Sequence, residues 1–188
     1  MSGTLSIRNR QRVRRINSPL LRRITLQVLR EQLHASDFEL AIHLVAAPEM
    51  SRVNWDFLKH EGSTDVITFD HSDKFRVSGF GFRGGTCHGR LETRNSKLET
   101  ILRGEVFICL DDAVKQAREF RTTWQSELVR YVIHGLLHLC GHDDLKPAAR
   151  RLMKREEKRL LKAITKSFPL SHLQTRNPKP QTRRKRLR

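Results

Sequence analysis

Two histidines one helical turn apart are the residues of this chain whose types and spacing point most directly to chemistry. His134 and His138 belong to the stretch HGLLHLCGHDD, residues 134–144, in an apolar run that predicts a helix. Residues four apart on a helix point the same way, so the two imidazoles are able to share one ion. A catalytic zinc takes three protein ligands and keeps a fourth position open to water. The alternative is two histidines that are only packed inside a buried helix.

A third ligand is expected beyond Gly141, a glycine that ends the predicted helix. Asp144 lies ten residues past His134, which leaves room for the chain to turn back. His142 is the alternative third ligand, but in a continued helix it would lie about 12 Å from His134 along the axis. Asp143 is expected to face solvent or to hydrogen-bond to the imidazole nitrogen that does not bind the metal.

Gly135 separates this stretch from the zinc helix of metallopeptidases. Those enzymes carry a glutamate at this position, which acts as the general base, and glycine has no side chain to do so. Phosphodiester chemistry depends less on that base, because a metal ion acidifies a bound water and polarises a phosphoryl oxygen. The pattern therefore favours phosphodiester cleavage with a metal-bound water or hydroxide central to it, and either water or the 2′-hydroxyl of RNA as the attacking nucleophile. A peptidase would need a remote carboxylate instead.

Four further residues have a chemical and a structural interpretation. Glu127 is seven residues before His134 and on the same helical face, so it is a candidate carboxylate of the cleft or a solvated helix residue. Thr64 and Asp65 either flank the cleft or form a turn and a cap. Cys140 is interpreted as a small buried residue near a helix end, and not as a ligand.

The chain has a large excess of basic residues, 37 Lys and Arg against 20 Asp and Glu, for a formal net charge of +17. A surplus of this size favours a polyanionic partner, and nucleic acid is the first candidate. Aromatic residues are only 6% of the chain, which argues against a base-stacking platform and predicts contacts mainly to phosphates. No DNA specificity is expected. The alternative is a solubilising surface with a basic tail.

The sequence predicts a cytoplasmic protein that does not enter a membrane. No apolar run reaches the roughly 18 to 20 residues that a membrane span requires. The basic N-terminus lacks the apolar region of a secretory signal. Cys87, Cys109 and Cys140 are odd in number and form no CxxC pair, which is typical of reduced thiols in a cytosol.

The apolar periodicity predicts an α+β fold, with a small mixed β-sheet of about four strands packed with about five helices. The metal site falls on a long helix in the C-terminal half. Predicted strands contain TLSIRN, FELAIHLVA (half buried), STDVITFDH and GEVFICL. Five helices are predicted. In chain order, the first is capped by Asn17 or Ser18, the second lies in APEMSRVNWDFLKH, the third is capped by Asp111 or Asp112, the fourth is capped by Thr122 or Thr123, and the fifth begins at Pro147.

The predicted organisation is one catalytic domain, residues 1–165, followed by a basic and disordered tail, residues 166–188. The tail prediction rests on RNPKPQTRRKRLR, which has two prolines, five arginines and two lysines but no apolar periodicity. Residues 71–102 are glycine-rich without a clear period, and they are interpreted as a surface insertion.

Four blocks in the order of the chain resemble the bacterial YbeY family, the metal-dependent endoribonucleases of ribosomal RNA maturation. HGLLHLCGHDD resembles the signature HGxLHLxGyDH, STDVITF resembles TDVLSF, and GEVFI resembles GDIVI. ELVRYVIHGLLHL is similar to the approach to the metal helix, and LMKREE to the closing helix. The resemblance extends over most of residues 38–160.

This resemblance implies a zinc-dependent endoribonuclease, with one Zn²⁺ per chain, that is specific for single-stranded RNA. It implies a role in ribosomal RNA processing, namely maturation of the 3′ end of 16S rRNA, and in ribosome quality control. The implied partners are single-stranded RNA, pre-16S rRNA and the ribosome or its small subunit.

The chain departs from the family pattern at three positions. The third histidine of the signature falls on Asp144, which keeps His134, His138 and Asp144 as an acceptable ligand set. The tyrosine of the signature falls on His142. An arginine that the family often carries four residues after an asparagine falls on Leu58. Candidates to supply the missing positive charge are Lys59, His60 and Arg103.

Because of these departures, a second interpretation stays open: the chain is a binding protein, and its zinc has only a structural role. The basic ends would then dock the chain on RNA or the ribosome as an assembly factor without cleavage. An exchangeable water on the metal, or an open fourth position, would argue against that class.

Overall fold

The computed structural model of the protein describes residues 3–35, 37–72 and 102–175. Four strands and five α-helices lie in these ranges. They are β1 (Gly3–Asn9), α1 (Ser18–Gln27), β2 (Phe38–Val45), α2 (Ala47–Leu58), β3 (Val66–Asp70), β4 (Leu102–Cys109), α3 (Leu110–Glu119), α4 (Trp124–Leu139) and α5 (Pro147–Ser167). A π-helical turn, Val28–Gln32, extends α1, and a 3₁₀ turn, Leu170–Leu173, follows α5.

The four strands form one mixed sheet in the order β1-β2-β4-β3. β2 is parallel to both β1 and β4, whereas β3 is antiparallel to β4. The predicted α+β class, with about four strands and about five helices, is therefore confirmed. None of the helices in the described ranges is long and apolar enough to cross a bilayer.

The two faces of the sheet carry different helices, because successive side chains of a strand point to opposite faces. Val106 and Gly104 of β4 face α4, the helix that contains the two histidines. On the opposite face, Met50 of α2 packs with Ile67 and Cys109. The main core lies on the α4 side, where α4 also contacts α1, α3 and α5.

α4 approaches the sheet closely at two glycines. A Cβ atom on Gly135 would lie 2.5 Å from Cγ1 of Val106. A Cβ atom on Gly104 would lie 2.6 Å from Cδ2 of Leu139. Both distances are too short for real atoms, so each glycine lets the helix and the strand come together. Position 135 faces the strand, and for this reason it is not the place of a metallopeptidase base.

For three helices, the predicted cap residues can be compared with the N-cap residues in the structure. Asn17 caps α1 by accepting the N–H of Leu20, and Thr123 caps α4 by accepting the N–H of Ser126. The predicted caps Asp111 and Asp112 are wrong, because both lie in the first turn of α3. The carboxylate of Asp111 instead accepts the backbone N–H of Ala47, at 2.7 Å, and so caps the start of α2.

β2 is more buried than its alternating pattern predicts. It lies between β1 and β4, and its residues Ile42, His43, Leu44 and Val45 are all buried. The ring of His43 stacks on Phe107 of the neighbouring strand, with centroids 4.4 Å apart. The prediction of a half-buried strand is therefore confirmed for the first half of β2, where Glu39 is exposed, and wrong for the second half, where the second face is covered.

The folded part extends beyond the predicted boundary at residue 165. α5 continues to Ser167, Leu173 of the following turn is fully buried, and Gln174 forms a β-bridge with Ile16. The start of the predicted tail at residue 166 is therefore wrong, and 176–188 lie outside the described residues. Of the predicted insertion at 71–102, Leu102 belongs to β4, and residues 73–101 lie outside the described ranges.

Candidate metal centre

The two histidines of α4 face each other at the end of the helix. Nε2 of His134 lies 3.1 Å from Nε2 of His138, and the two rings are nearly perpendicular, at 84°. Both side chains are about a quarter exposed, so the pair lies at the surface of the core. The spacing of four residues thus directs both Nε2 atoms to one point.

The other ring nitrogen of each histidine, Nδ1, has a partner on the side of the ring away from Nε2. Nδ1 of His134 lies 3.2 Å from Oε2 of Glu157 on α5, and Nδ1 of His138 lies 3.1 Å from the carbonyl oxygen of His142. Partners of this kind fix the ring orientation and the tautomer of a metal-binding histidine. They leave both Nε2 atoms available for an ion.

The chain turns back after α4 and brings a carboxylate to the histidines. Gly141 takes a positive φ of 87°, a backbone conformation that favours glycine, and Asp144 follows three residues later. Oδ1 of Asp144 lies 3.9 Å from Nε2 of His138. Arg150 holds this connection by donating from Nε to the carbonyl oxygen of Asp144, at 2.9 Å.

His134, His138 and Asp144 therefore offer three ligand atoms that all lie within 4.8 Å of one another. The alternative ligand His142 contributes its backbone carbonyl to His138 instead of joining this group. Two nitrogens at about 2.0–2.1 Å from a tetrahedral zinc lie roughly 3.3 Å apart, close to the 3.1 Å found here. The donor set and its geometry are compatible with a metal ion.

The charges around the histidines shift the pKa values of His134 and His138 in opposite directions. Burial alone would lower the pKa of His134, but the hydrogen bond and negative charge of Glu157 outweigh it, so that the pKa is raised. Burial and the positive charge of His134 lower the pKa of His138, although Asp144 opposes them. Burial lowers the pKa of His142 as well. His138 is thus kept neutral, the form that binds metals.

A chain of charges connects the metal centre with the start of α4. Arg130 lies between two carboxylates, with Nε 3.5 Å from Oε1 of Glu157 and Nη1 3.6 Å from Oε2 of Glu127. Glu127 is fully buried and accepts a hydrogen bond from the hydroxyl of Thr122. The predicted candidate Glu127 is therefore neither a solvated residue nor a neighbour of the ligands. It contacts Arg130, which contacts Glu157, which holds His134.

The candidate replacements for the family arginine do not contact the ligands. Arg103 points to the face of the sheet opposite α4, where it pairs with Glu39 at 3.6 Å. Lys59 ends α2 with a positive φ of 57°, and its amino group lies 5.9 Å from the ring centroid of Trp55. No hydrogen bond or ion pair joins Lys59, His60 or Arg103 to the three ligand residues in the part of the chain that the structure describes.

Arg150 contacts the backbone of the ligand residue Asp144, and Arg130 is joined to His134 through Glu157. The sequence pattern did not single out either arginine. Arg130 is four residues before His134, so helical spacing was a usable signal for it. Arg150 and Glu157 carried no such signal, because they reach the site from α5. Both interpretations of Asp65 have support. Its Oδ1 accepts the N–H of Val66 at 3.0 Å, and its negative charge contributes to the raised pKa of His134.

The fold and site together define an α+β protein with two histidines and one carboxylate gathered at the end of a central helix. Comparisons with known proteins identify the family. The family model described as endoribonuclease YbeY matches residues 6–165. The chain belongs to the endoribonuclease YbeY family.

Individual relatives agree with this assignment. A protein of Finegoldia magna named endoribonuclease YbeY is 27% identical over 163 residues, which cover 85% of this chain and 93% of the relative. The same name is carried by a Salinibacter ruber protein, 33% identical over 66% of this chain and 69% of the relative. A solution structure of a Thermotoga maritima protein matches with a TM-score of 0.56 and 22% identity, covering 96% of this chain and 100% of that one, and supports the fold.

Proposed function

We propose that the protein is a zinc-dependent, single-strand-specific endoribonuclease of ribosomal RNA processing. The observation that carries this proposal is the group His134, His138 and Asp144 in a chain of the endoribonuclease YbeY family. The proposed substrate is pre-16S rRNA at its 3′ end, reached on the ribosome or its small subunit, with a further role in ribosome quality control. We propose one Zn²⁺ per chain and a cytoplasmic location.

The three ligand residues would hold the ion through Nε2 of His134, Nε2 of His138 and a carboxylate oxygen of Asp144. When bound, such an ion supplies Lewis-acid polarisation of a phosphoryl oxygen and a more acidic water. Glu157 orients His134, and the carbonyl oxygen of His142 orients His138. These contacts keep both nitrogens in place without rearrangement at the moment of reaction.

A second candidate function is a zinc-stabilised assembly factor that binds RNA without cleaving it. The observation in its favour is Leu58, which stands where the family often has an arginine, with no basic substitute from Lys59, His60 or Arg103 in contact with the ligands. Cleavage needs cations to stabilise the added charge of the transition state. Arg150, which contacts Asp144, and Arg130, which contacts Glu157, are cations that could do so.

Cleavage of a labelled single-stranded RNA by the purified full chain tests the proposal. The samples are the protein as purified, the protein after chelation, the chelated protein with zinc restored, and Asp144→Ala, each with its metal content measured. Asp143→Ala is the matched control, because Asp143 is exposed and its carboxylate accepts the N–H of Leu145. We expect chelation and Asp144→Ala to abolish cleavage, zinc to restore it, and Asp143→Ala to cleave normally.

Two results would contradict the enzyme. Retained cleavage in Asp144→Ala with full metal content would remove Asp144 from the ligand set. Tight zinc and RNA binding without cleavage, also when the substrate is presented on the small ribosomal subunit, would establish the assembly factor instead.

A further inference from the structure

Two adjacent clefts near the start of α4 are lined by arginines. The first, of about 400 Å³, lies beside the end of β1 and is lined by Arg12, Arg14 and Arg15, among others. The second, of about 480 Å³, is lined by Arg14, Arg118 and Arg121 together with the first residues of α4. Arg14 lines both clefts and joins them. We call the joined clefts the arginine groove.

The five arginines of the groove are not neutralised within the described residues. No carboxylate lines either cleft there, and none of the five guanidinium groups forms an ion pair with a described residue. Arg14 is fixed in place, since its Nη1 donates to the carbonyl oxygen of Val13 and its backbone N–H donates to Oε1 of Gln11. Guanidinium groups that form no ion pair with the described residues are free to bind phosphate groups, whose geometry they match.

Aromatic side chains accompany these arginines. Trp124 lines the second cleft, and Phe120, in the connection that carries Arg121, is 58% exposed. Phe120 is therefore largely open to solvent, next in sequence to Arg121, which lines the second cleft. Basic grooves with aromatic side chains bind single strands, because the cations contact the backbone phosphates and the rings stack on unpaired bases. The combination distinguishes RNA from a free anion.

We propose that the arginine groove is a second RNA-binding site, which holds single-stranded RNA outside the metal centre. This inference rests on the proposed function for its substrate class. Thr123 at the groove and His134 at the metal centre are eleven residues apart on α4, which is about 16 Å along the helix. Binding sites for single strands extend over roughly 4 to 16 nucleotides, so one RNA segment is long enough to reach both places. The groove thus binds the part of the substrate that is not cut.

The test compares two pairs of substitutions that remove the same charge. Arg15→Gln with Arg118→Gln removes one arginine from each cleft, whereas Arg151→Gln with Arg155→Gln removes two exposed arginines of α5. Both variants of the full chain keep residues 176–188, so attraction by that basic segment is equal in the two. Affinity for a labelled unstructured RNA of about 16 nucleotides is measured by anisotropy at several salt concentrations, and gels verify that the RNA stays intact.

We expect the groove pair, Arg15→Gln with Arg118→Gln, to weaken RNA binding about tenfold. It should also reduce the slope of log K against log salt by about 1.4, which is about 0.7 for each lost phosphate contact. The α5 pair should stay close to the unsubstituted protein. Phe120→Ala should weaken binding of the single strand but not of a duplex RNA. Inorganic phosphate at an equal concentration of phosphate groups should compete poorly, because it has no bases to stack.

Equal losses in the two pairs would show bulk attraction by charge and overturn the proposal. An unchanged affinity in Phe120→Ala would overturn the single-strand preference. Measurements of metal content and of cleavage distinguish a failure of this proposal from a failure of the proposed enzymatic function. If the enzyme is real, the groove pair raises KM and leaves kcat and zinc content unchanged. If the protein does not cleave RNA at all, the groove is still tested by the affinities alone.

Discussion

At the scale of single residues, the centre is built from two kinds of contact. The pair His134 and His138 is local, because one helical turn places the two rings side by side, and the sequence was sufficient to predict it. The carboxylate behind His134 comes from Glu157, which is 23 positions away on another helix. Its place depends on how α5 packs on α4, so no spacing within the chain could reveal it.

Replacing Glu157 with glutamine tests the importance of that contact for metal binding. The amide can still accept a hydrogen bond from Nδ1 of His134, but it no longer carries the charge that Arg130 holds in place. Loss of such an outer partner typically lowers metal affinity 10- to 100-fold, and we expect Glu157→Gln to fall in that range. Competition with a chelating dye measures the affinity.

The neighbouring glutamate is the control for this prediction. Glu156 pairs with Arg159 on the surface of α5, at 2.6 Å, and among the described residues it forms no hydrogen bond or ion pair with His134 or His138. Glu156→Gln should bind zinc as the unsubstituted protein does. Equal affinities for the two variants would mean that Glu157 has no role in holding His134.

At the scale of elements, the contact between α4 and β4 decides which side chains can reach the metal. Alternation along β4 places Gly104 and Val106 towards α4 and Arg103 on the other face. The sequence predicted both elements but not which face of the strand the helix would cover. That uncertainty is why Arg103 was a reasonable candidate for the site and why the structure does not bring it there.

Gly135→Ala is expected to destabilise the protein although alanine favours helices. The new Cβ atom would meet Val106 at 2.5 Å, and overpacking of this kind costs about 1 to 3 kcal/mol. The gain in helix propensity offsets about 1 kcal/mol of it. We expect a net loss of about 1 kcal/mol in the free energy of unfolding, measured by urea denaturation.

A double-mutant cycle identifies the cause. Val106→Ala removes the methyl groups that the new Cβ atom meets, so the cost of Gly135→Ala should shrink or reverse in that background. Strictly additive effects of the two substitutions would show that close packing against Val106 is not the reason for the glycine.

At the scale of the whole molecule, the count of strands and helices followed from apolar periodicity, while the strand order β1-β2-β4-β3 did not. Pairing of β2 with β4 joins residues far apart in the chain, and it buries the second face of β2 in a way that its alternation did not predict. One result is a histidine inside the fold. Neither ring nitrogen of His43 has a hydrogen-bond partner among the described residues.

This histidine makes the folded protein sensitive to acid. Burial lowers the pKa of His43 below its ordinary value of 6.5, and Arg10 and Arg8 act in the same direction, while Glu105 and Glu49 oppose them. As the pH falls below about 6.5, the unfolded chain takes up the proton before the folded chain does. The contribution of His43 to the free energy of unfolding therefore decreases from pH 7 to pH 5.

His43→Phe should remove this part of the acid sensitivity. Phenylalanine keeps the stacking on Phe107 and cannot be protonated. Urea denaturation at pH 5, 6 and 7 should show a difference in stability between the variant and the unsubstituted protein that grows in favour of the variant as the pH falls. A difference that is constant over this range would contradict the assignment to His43.

The turn at Gly141 has a consequence for how fast an ion is exchanged. Two ligands lie on one helix, whereas Asp144 lies on a short connection that begins at Gly141. Arg150 holds this connection, and so does the contact between Nδ1 of His138 and the carbonyl oxygen of His142. If an ion is bound at this centre, its release would require a local opening of this connection, while the helix and the core remain intact. Exchange would follow the kinetics of a local opening, faster by orders of magnitude than unfolding of the chain. The centre would equilibrate with the surrounding pool of metal during the lifetime of each folded molecule.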